Sequence, residues 1–138
     1  MTASSLWPLQ QAVFAALGGD PALKALIGDP ARVFDHVPAN SAFPYVVIGE
    51  ATARDWDTKT DDGMEQTLTV HTWSRARGAG ETKQIMAAII DTLDHAPLVV
   101  AGHALVLIRF EFTQTLVDPD GLTHHGVQRF RAITQKAG

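Results

Sequence analysis

Hydrophobic side chains recur at intervals of three and four residues in the first part of the chain, which predicts helices. A helix is expected over residues 5–17, and Gly18 and Gly19 are expected to end it. A second, short helix is expected between the cap residue Asp20 and the stop at Gly28. The predicted core stripe of the first helix consists of Leu6, Leu9, Val13 and Leu17, widened by Trp7 and Phe14.

Alternating apolar and polar positions follow, and such alternation is typical of half-buried strands. Strands are predicted over residues 32–37, 44–54, 64–73, 103–117 and 123–135. One further stretch, residues 80–95, has helical spacing and an apolar stripe. This order predicts an α+β fold, with an antiparallel sheet of about four main strands and helices packed on one face.

The strand predicted over residues 103–117 is unusually long. Fifteen residues would reach ~50 Å, which exceeds what the core of so short a chain needs. Long protruding hairpins are therefore expected, and a protruding hairpin indicates a surface for a partner. The face of this strand that should point to the core is predicted to carry Ala104, Val106, Ile108, Phe110 and Phe112.

Composition narrows the class of protein. The 138 residues, 46% hydrophobic and 19% charged, suit one folded domain spanning residues 1–138. Without cysteine the chain can form no disulfide or thiolate metal site. A net charge of −4 disfavours a general nucleic-acid binder. No apolar run is long enough for a membrane span and the amino terminus does not resemble a signal peptide, so a soluble cytoplasmic protein is expected.

Candidate catalytic and cofactor motifs fail on spacing. The stretch Gly78–Lys83 lies between a strand and a helix but has neither the glycine spacing nor the Lys-Ser/Thr end of a phosphate loop. Ser74 and His71 are three apart in a predicted strand and should face opposite ways. The six histidines show no metal-ligand spacing. We therefore predict no catalytic residue, no cofactor and no metal.

Acidic residues concentrate in two polar connections. The loop between the second and third strands holds Asp55, Trp56, Asp57, Asp61 and Asp62. The turn before the last strand holds Asp118 and Asp120. Each group is either a solvated turn or part of a partner surface. Trp56 is either a binding anchor or a side chain that folds back on its own sheet.

The chain resembles the small tail-completion proteins of long-tailed phages, the tail terminators, and especially the version found in phage-derived gene transfer agents. The resemblance spans nearly the whole chain. The segments that carry it are VFDHVP (residues 33–38), PYVVIGE (44–50) and VHTWSRARG (70–78).

The resemblance implies a structural role without catalysis. Terminators form a hexameric ring on the last disc of the tail tube, stop its polymerisation and join the head-side connector, and DNA passes through the lumen. The expected partners are thus further copies of the chain, the tail-tube protein and a connector or stopper protein. The expected location is the head–tail junction of a phage-like particle assembled in the bacterial cytoplasm. Some of the acidic loop residues would then face the lumen or an adjacent ring.

Other functions remain open from the sequence. A neighbouring assembly role, as a head–tail connector or a tail-tube subunit, would use a similar sheet with long hairpins. A more remote alternative is a small enzyme or ligand-binding α+β domain, which needs a pocket with convergent polar groups.

Overall fold

A computed structural model describes residues 4–137 of the chain. Its elements are α1 (Leu6–Gly19), α2 (Pro21–Ile27), β1 (Val33–Phe34), β2 (Tyr45–Asp55), β3 (Gly63–Ser74), α3 (Gly80–Leu93), β4 (His103–Val117) and β5 (His124–Lys136). The strands form one open sheet in the order β1-β2-β3-β5-β4. The four long strands are antiparallel to their neighbours, and β1 adds one short parallel pair. The predicted α+β fold is confirmed.

The boundaries of the first two helices follow from local chemistry. The Asp20 carboxylate accepts a hydrogen bond from the Leu23 backbone N–H (3.0 Å), and Pro21 occupies the first helical position. Both features satisfy or avoid the free N–H groups of a helix start. Gly28, with φ 96°, ends α2 in a conformation that side-chain-bearing residues rarely adopt.

The core lies between one face of the sheet and the three helices, as predicted. Val46 and Ile48 of β2, Leu68 and Val70 of β3, and Phe130 of β5 point to this face. Their partners on the helices are Leu9, Val13, Leu17, Leu23, Ile27, Ile85, Ile89 and Leu93. The opposite face of the sheet, here called the open face, carries no helix from residues 4–137.

The predicted core stripe of α1 is wrong at its edges. Leu9, Val13 and Leu17 are fully buried, but Trp7 is 58% and Phe14 50% exposed. At about 100° per residue, these two aromatic side chains lie on the opposite side of the helix from Leu9. Leu6, in the first turn, is 40% exposed as well.

Two bulges in β4 correct the predicted alternation of that strand. The register shifts between Leu105 and Leu107 and again between Phe110 and Phe112. Each extra residue reverses the faces of the side chains that follow. Consequently Val106 is half exposed, and Phe112 lies on the open face instead of the core face.

The outer strand of each hairpin has a stretch that the helices leave exposed, whereas the inner strands contact Ser5 before α1 and Met86 of α3. The residues of β2 from Glu50 to Asp55 are exposed, as are those of β4 from Glu111 to Val117. The short strand predicted over residues 32–37 is only two residues long, because the chain bends at Asp35 and His36. None of the described helices is long and apolar enough to span a membrane.

Candidate functional site

The acidic loop between β2 and β3 has its own hydrogen bonds. The Asp57 carboxylate accepts from the Gly63 N–H (2.8 Å), and the Thr58 hydroxyl accepts from the Asp61 N–H (3.1 Å). A side-chain hydrogen bond to Asp57 raises the pKa of Asp55 above its ordinary value. The backbone carbonyl of Asp62 accepts from the Lys136 N–H, which ties the loop to the end of β5. The loop is thus an ordered acidic turn in which the Asp57 carboxylate binds the backbone of the loop itself.

Trp56 folds back on its own sheet, which is the second of the two interpretations of its role. The Arg131 guanidinium carbon lies 5.3 Å from the centre of its ring. Gly63 permits this fold, since a Cβ there would lie 2.6 Å from the Trp56 carbonyl oxygen. The ring is still 41% exposed, so one side of it is open to a partner.

The turn between β4 and β5 is organised by Asp120. Its carboxylate accepts from the Leu122 N–H (2.8 Å), the Thr123 N–H (2.9 Å) and the Thr123 hydroxyl (2.7 Å). The two backbone N–H groups, Thr123 first, lower the pKa of Asp120 to about 2. Asp118 closes the same turn through its backbone, because its N–H donates to the Thr123 carbonyl (2.8 Å). Asp120 is therefore a turn-forming residue that stays ionised.

The structure does not bring the two acidic groups together. Gly63, at the end of the first loop, pairs with Gln135, whereas Ser74, at the other end of β3, pairs with His124. The loop and the turn therefore flank opposite ends of β5, a strand of 13 residues that spans ~40 Å. The two acidic groups are therefore separated by the length of the sheet.

The open face holds charged residues that the sequence did not single out. Glu65 is 8% exposed and accepts hydrogen bonds from the guanidinium groups of Arg54 and Arg131, the latter at 2.5 Å. These bonds, with Arg131 the larger influence, lower the pKa of Glu65. On β4, Phe112 lies under the Arg129 guanidinium, 5.0 Å from its ring centre.

A second polar group on the open face links three strands. The His71 ring contacts the Glu50 carboxylate through Nε2 (2.6 Å) and the His125 Nε2 through Nδ1 (2.8 Å). If Glu50 accepts the Nε2–H, the His71 Nδ1 accepts from His125. The hydrogen bond from His71 lowers the pKa of Glu50, while burial and then the neighbouring His71 lower the pKa of His125. Gly49 makes room for this arrangement, since a Cβ there would lie 2.7 Å from the His71 ring.

Every second residue of β5 points to the open face, and this two-residue period is the sequence signal that predicts which side chains lie there. His125, Val127, Arg129, Arg131 and Ile133 alternate with core-facing residues. The pairing of β5 with β3, two elements apart in the chain, decides which of them meet Glu65 and His71. That pairing was not evident from the sequence.

The open face also bears a polar cleft whose charged side chains bind one another. The cleft has a volume of about 430 Å³ and is lined by Thr52, Ala53, Arg54, Glu65, Thr67, Glu111 and Arg131. Its arginines already bind Glu65, so no unpaired acid–base pair converges on a substrate position. Within residues 4–137, no three side chains of His, Asp or Glu are arranged to hold a metal ion.

The motifs rejected at the sequence level have structural roles. The Ser74 hydroxyl donates to the Glu81 carboxylate (2.7 Å), not to His71. Gly80 begins α3, whose first turn includes the Lys83 N–H donating to the Ala79 carbonyl (3.0 Å).

Comparison with known proteins assigns the fold to a family. Residues 11–135 match the sequence profile of the family named tail completion protein gp17. The tail completion protein gp17 of Bacillus phage SPP1 is 32% identical over 89 residues, which cover 64% of this chain and 66% of that protein. A chain from the virion of a native gene transfer agent particle superposes with a TM-score of 0.89 and 28% identity, over 97% of this chain and 99% of that one. The resemblance seen in the sequence is confirmed, and the chain belongs to the tail completion protein gp17 family, whose members are structural proteins of phage and gene transfer agent particles.

Proposed function

We propose that this chain is the tail terminator of a phage-like particle. Copies of it form a hexameric ring on the last disc of the tail tube, stop the polymerisation of the tube and join the tail to the head-side connector. The observation that carries this proposal is the match in fold, over nearly the full length of both chains, to a chain of a gene transfer agent virion.

The two acidic groups lie at opposite ends of the sheet, which supports a subunit that contacts one protein above the ring and another below it. One end of the sheet presents Trp56 with Asp55, Asp57, Asp61 and Asp62, and the other presents Asp118 and Asp120. A terminator contacts the tube on one side and the connector on the other. In the proposed ring, each acidic end faces one of these neighbours or borders the lumen.

The negative charge of the chain supports the proposal that DNA slides through the lumen of the ring. The chain has a net charge of −4, and both ends of its sheet are acidic. Lysine and arginine bind phosphates and would retain the duplex, whereas carboxylates repel it. DNA is thus in transit through the ring and is not a bound ligand, and the ring assembles in the bacterial cytoplasm before the particle is released.

Deletion of the gene in the strain that produces the particle distinguishes the candidate roles. Loss of a terminator leaves headless tails that are longer than normal, because polymerisation is no longer stopped. Loss of a connector would leave headless tails of normal length, and loss of a tube subunit would leave none. Electron microscopy of the lysate gives the tail lengths, and the gene supplied from a plasmid is the control that restores them.

The purified protein provides a second test. A terminator is expected to give rings of limited mass or monomers, whereas a tube subunit would give long tubes under the same conditions. Native mass spectrometry of the same sample would detect a retained small molecule, and such a molecule would favour the ligand-binding alternative.

A further inference from the structure

The outer edge of the sheet is formed by β4, and its middle is covered by the segment after α3. The His95 N–H donates to the Ile108 carbonyl (2.9 Å), and the Asp94 carboxylate accepts from the Phe110 N–H (2.8 Å). These two contacts occupy the outward-pointing backbone groups at Ile108 and Phe110. A strand from elsewhere therefore cannot add at this part of the edge.

The edge beyond the second bulge is different. Residues Phe112–Val117 (FTQTLV) pair in unbroken register with β5, from Arg129 to His124. All six are exposed, Leu116 at 42% and Val117 at 58%. The segment contains no charge, proline or glycine.

Such an edge is unprotected. Natural sheets guard exposed edges with lysine, proline, bulges or a covering element, because unpaired N–H and C=O groups recruit further strands. An uncharged segment of six residues, four of which (Phe112, Thr113, Thr115 and Val117) have strong β-propensity, is the type of segment that recruits further strands. The contrast with the covered positions Ile108 and Phe110 indicates that Phe112–Val117 is covered in the assembled protein by another chain.

A second copy of this chain offers a matching strand. On the other edge of the sheet, β1 pairs with β2 at Val46 and Val47, and the outer side of the exposed residues Glu50–Asp55 has no strand partner among residues 4–137. Four long strands alternate in direction between the two edges, so β2 and β4 run in opposite directions. When two copies stand side by side in the same orientation, β4 of one and β2 of the next are antiparallel. Within one copy Gln114 is level with Val47, so pairing Phe112–Val117 with Glu50–Asp55 offsets the next copy by about four to six residues along the strands, ~13–20 Å.

The geometry of this contact suits a ring whose strands are tilted to its axis, because an offset of ~13–20 Å across a four-strand width of ~19 Å corresponds to the tilt of about 35–45° found in closed barrels. It joins two different surfaces of the subunit, and such heterologous contacts repeat until the rotation closes. A contact of β4 with β4 would be two-fold symmetric and would end at a dimer. The uncharged segment also places no like charge opposite Glu50, Arg54 or Asp55 of β2.

We propose that Phe112–Val117 of one copy adds as an antiparallel strand to Glu50–Asp55 of the next copy, and that this pairing closes the ring. The inference rests on the proposed function, because it names the surface by which copies of a terminator would join.

Engineered disulfides test the pairing directly, since the natural chain has no cysteine. Thr52 and Gln114 lie on the open face, whereas Ala53, Thr113 and Thr115 lie on the other face. The double variants T52C/Q114C and A53C/T113C report one register, and A53C/T115C reports the register shifted by two residues. Within one chain, β2 and β4 are separated by two strands, ~14 Å, which is too far for a disulfide.

After assembly and oxidation, we expect at least one of these variants to give a ladder of covalent oligomers up to the full ring on a non-reducing gel. The matched control T52C/T115C places its cysteines on opposite faces and should remain monomeric on the gel. The single variant T115C should also remain monomeric, and a dimer from it would indicate β4–β4 contact and overturn the proposal.

A charge variant tests the pairing independently of register. T113K/T115K places two lysines on the exposed edge and should lower the ring fraction at least about tenfold, whereas the matched variant T113V/T115V should keep it. Circular dichroism of both variants confirms the fold. If T113K/T115K assembles as well as the wild type, the pairing is wrong and the terminator role stands. If the wild-type chain neither forms rings nor restores tail length to the deletion strain, the terminator role fails and the pairing fails with it.

Discussion

The imidazole of His125 lies flat against the indole of Trp73, with 3.7 Å between the ring centres and 10° between the ring planes. The two residues are register partners on β3 and β5, at the end of the sheet where the Asp118–Asp120 turn lies. The His125 ring also forms a hydrogen bond with His71, and His71 forms one with Glu50. Together with the stacked Trp73, these side chains connect β2, β3 and β5 on the open face.

This arrangement predicts loss of stability in mild acid. The folded chain holds the pKa of His125 below its ordinary value of 6.5, mainly by burial. As the pH falls through about 6.5, the unfolded chain therefore binds the proton first, and the free energy of unfolding decreases until the folded pKa is passed. Urea unfolding at pH 7.5 and 5.5 should show this decrease. His125→Asn should flatten it, and the matched variant His36→Asn, which removes an exposed imidazole, should not.

Glu50 is expected to cause a second decrease in the free energy of unfolding, at lower pH. Its pKa is held below 4.5 by the hydrogen bond from His71, so its contribution is present above pH 4.5 and is lost as the pH falls through the folded pKa. Glu50→Gln should remove this part of the acid dependence and leave the part between pH 7.5 and 5.5. An unchanged acid limb in Glu50→Gln would show that the bond to His71 does not stabilise the fold.

The two arginines that bind Glu65 should contribute unequally to stability. The Arg131 side chain is 32% exposed and also packs over Trp56, whereas the Arg54 side chain is 74% exposed and screened by water. Arg131→Ala is therefore expected to reduce the urea midpoint more than Arg54→Ala. Equal effects would indicate that the packing of Arg131 on Trp56 is unimportant.

Gly63 is expected to control the acidic loop. A methyl group at this position would meet the Trp56 carbonyl oxygen at 2.6 Å and the Thr134 carbonyl oxygen at 3.3 Å, and both are backbone atoms. Gly63→Ala should cost about 1–3 kcal/mol in the free energy of unfolding, as overpacked sites do. The control is Gly80→Ala, because nothing lies within 4 Å of the methyl group added there. Gly78 is unsuitable as a control because its positive φ would strain an alanine. A shift in the fluorescence of Trp56, measured in a variant lacking the other two tryptophans, would show that the loop has moved.

The correction to the α1 core stripe can be tested by paired substitutions. Leu9→Ala removes a fully buried side chain and should cost about 2–5 kcal/mol. Phe14→Ala removes a larger side chain that is half exposed, and it should change the free energy of unfolding far less. If the two substitutions cost the same, Phe14 belongs to the core after all.

The periodicity of apolar residues predicted where the helices and strands lie in the sequence, but not which of their faces pack together. The bounds of β4 agree with the predicted 103–117, because this stretch contains no glycine or proline and is bounded by Gly102 and the turn at Asp118–Gly121. The face of Val106 was predicted wrongly, since a bulge leaves no mark in the alternation of side chains. Trp7 and Phe14 were assigned to the core because size and hydrophobicity do not say which side of a helix meets the sheet.

The candidate site was predicted only in part. The acidic residues of both connections were identified, and their roles as partner or lumen residues stay a prediction. The contacts of Glu65 with Arg131 and of His71 with His125 depend on β5 pairing with β3, which joins residues 66 and 54 positions apart. The covered and uncovered parts of the β4 edge depend in the same way on where Asp94 and His95 lie after α3.

In the proposed function, this chain caps the tail tube at the head–tail junction. Cryo-electron microscopy of the intact particle, at a resolution that traces the chain, tests it most directly. We predict a closed ring of this chain, six copies, between the last tube disc and the connector. Density for this chain repeated along the tube, placed at the distal tip of the tail, or absent from the particle would contradict the claim.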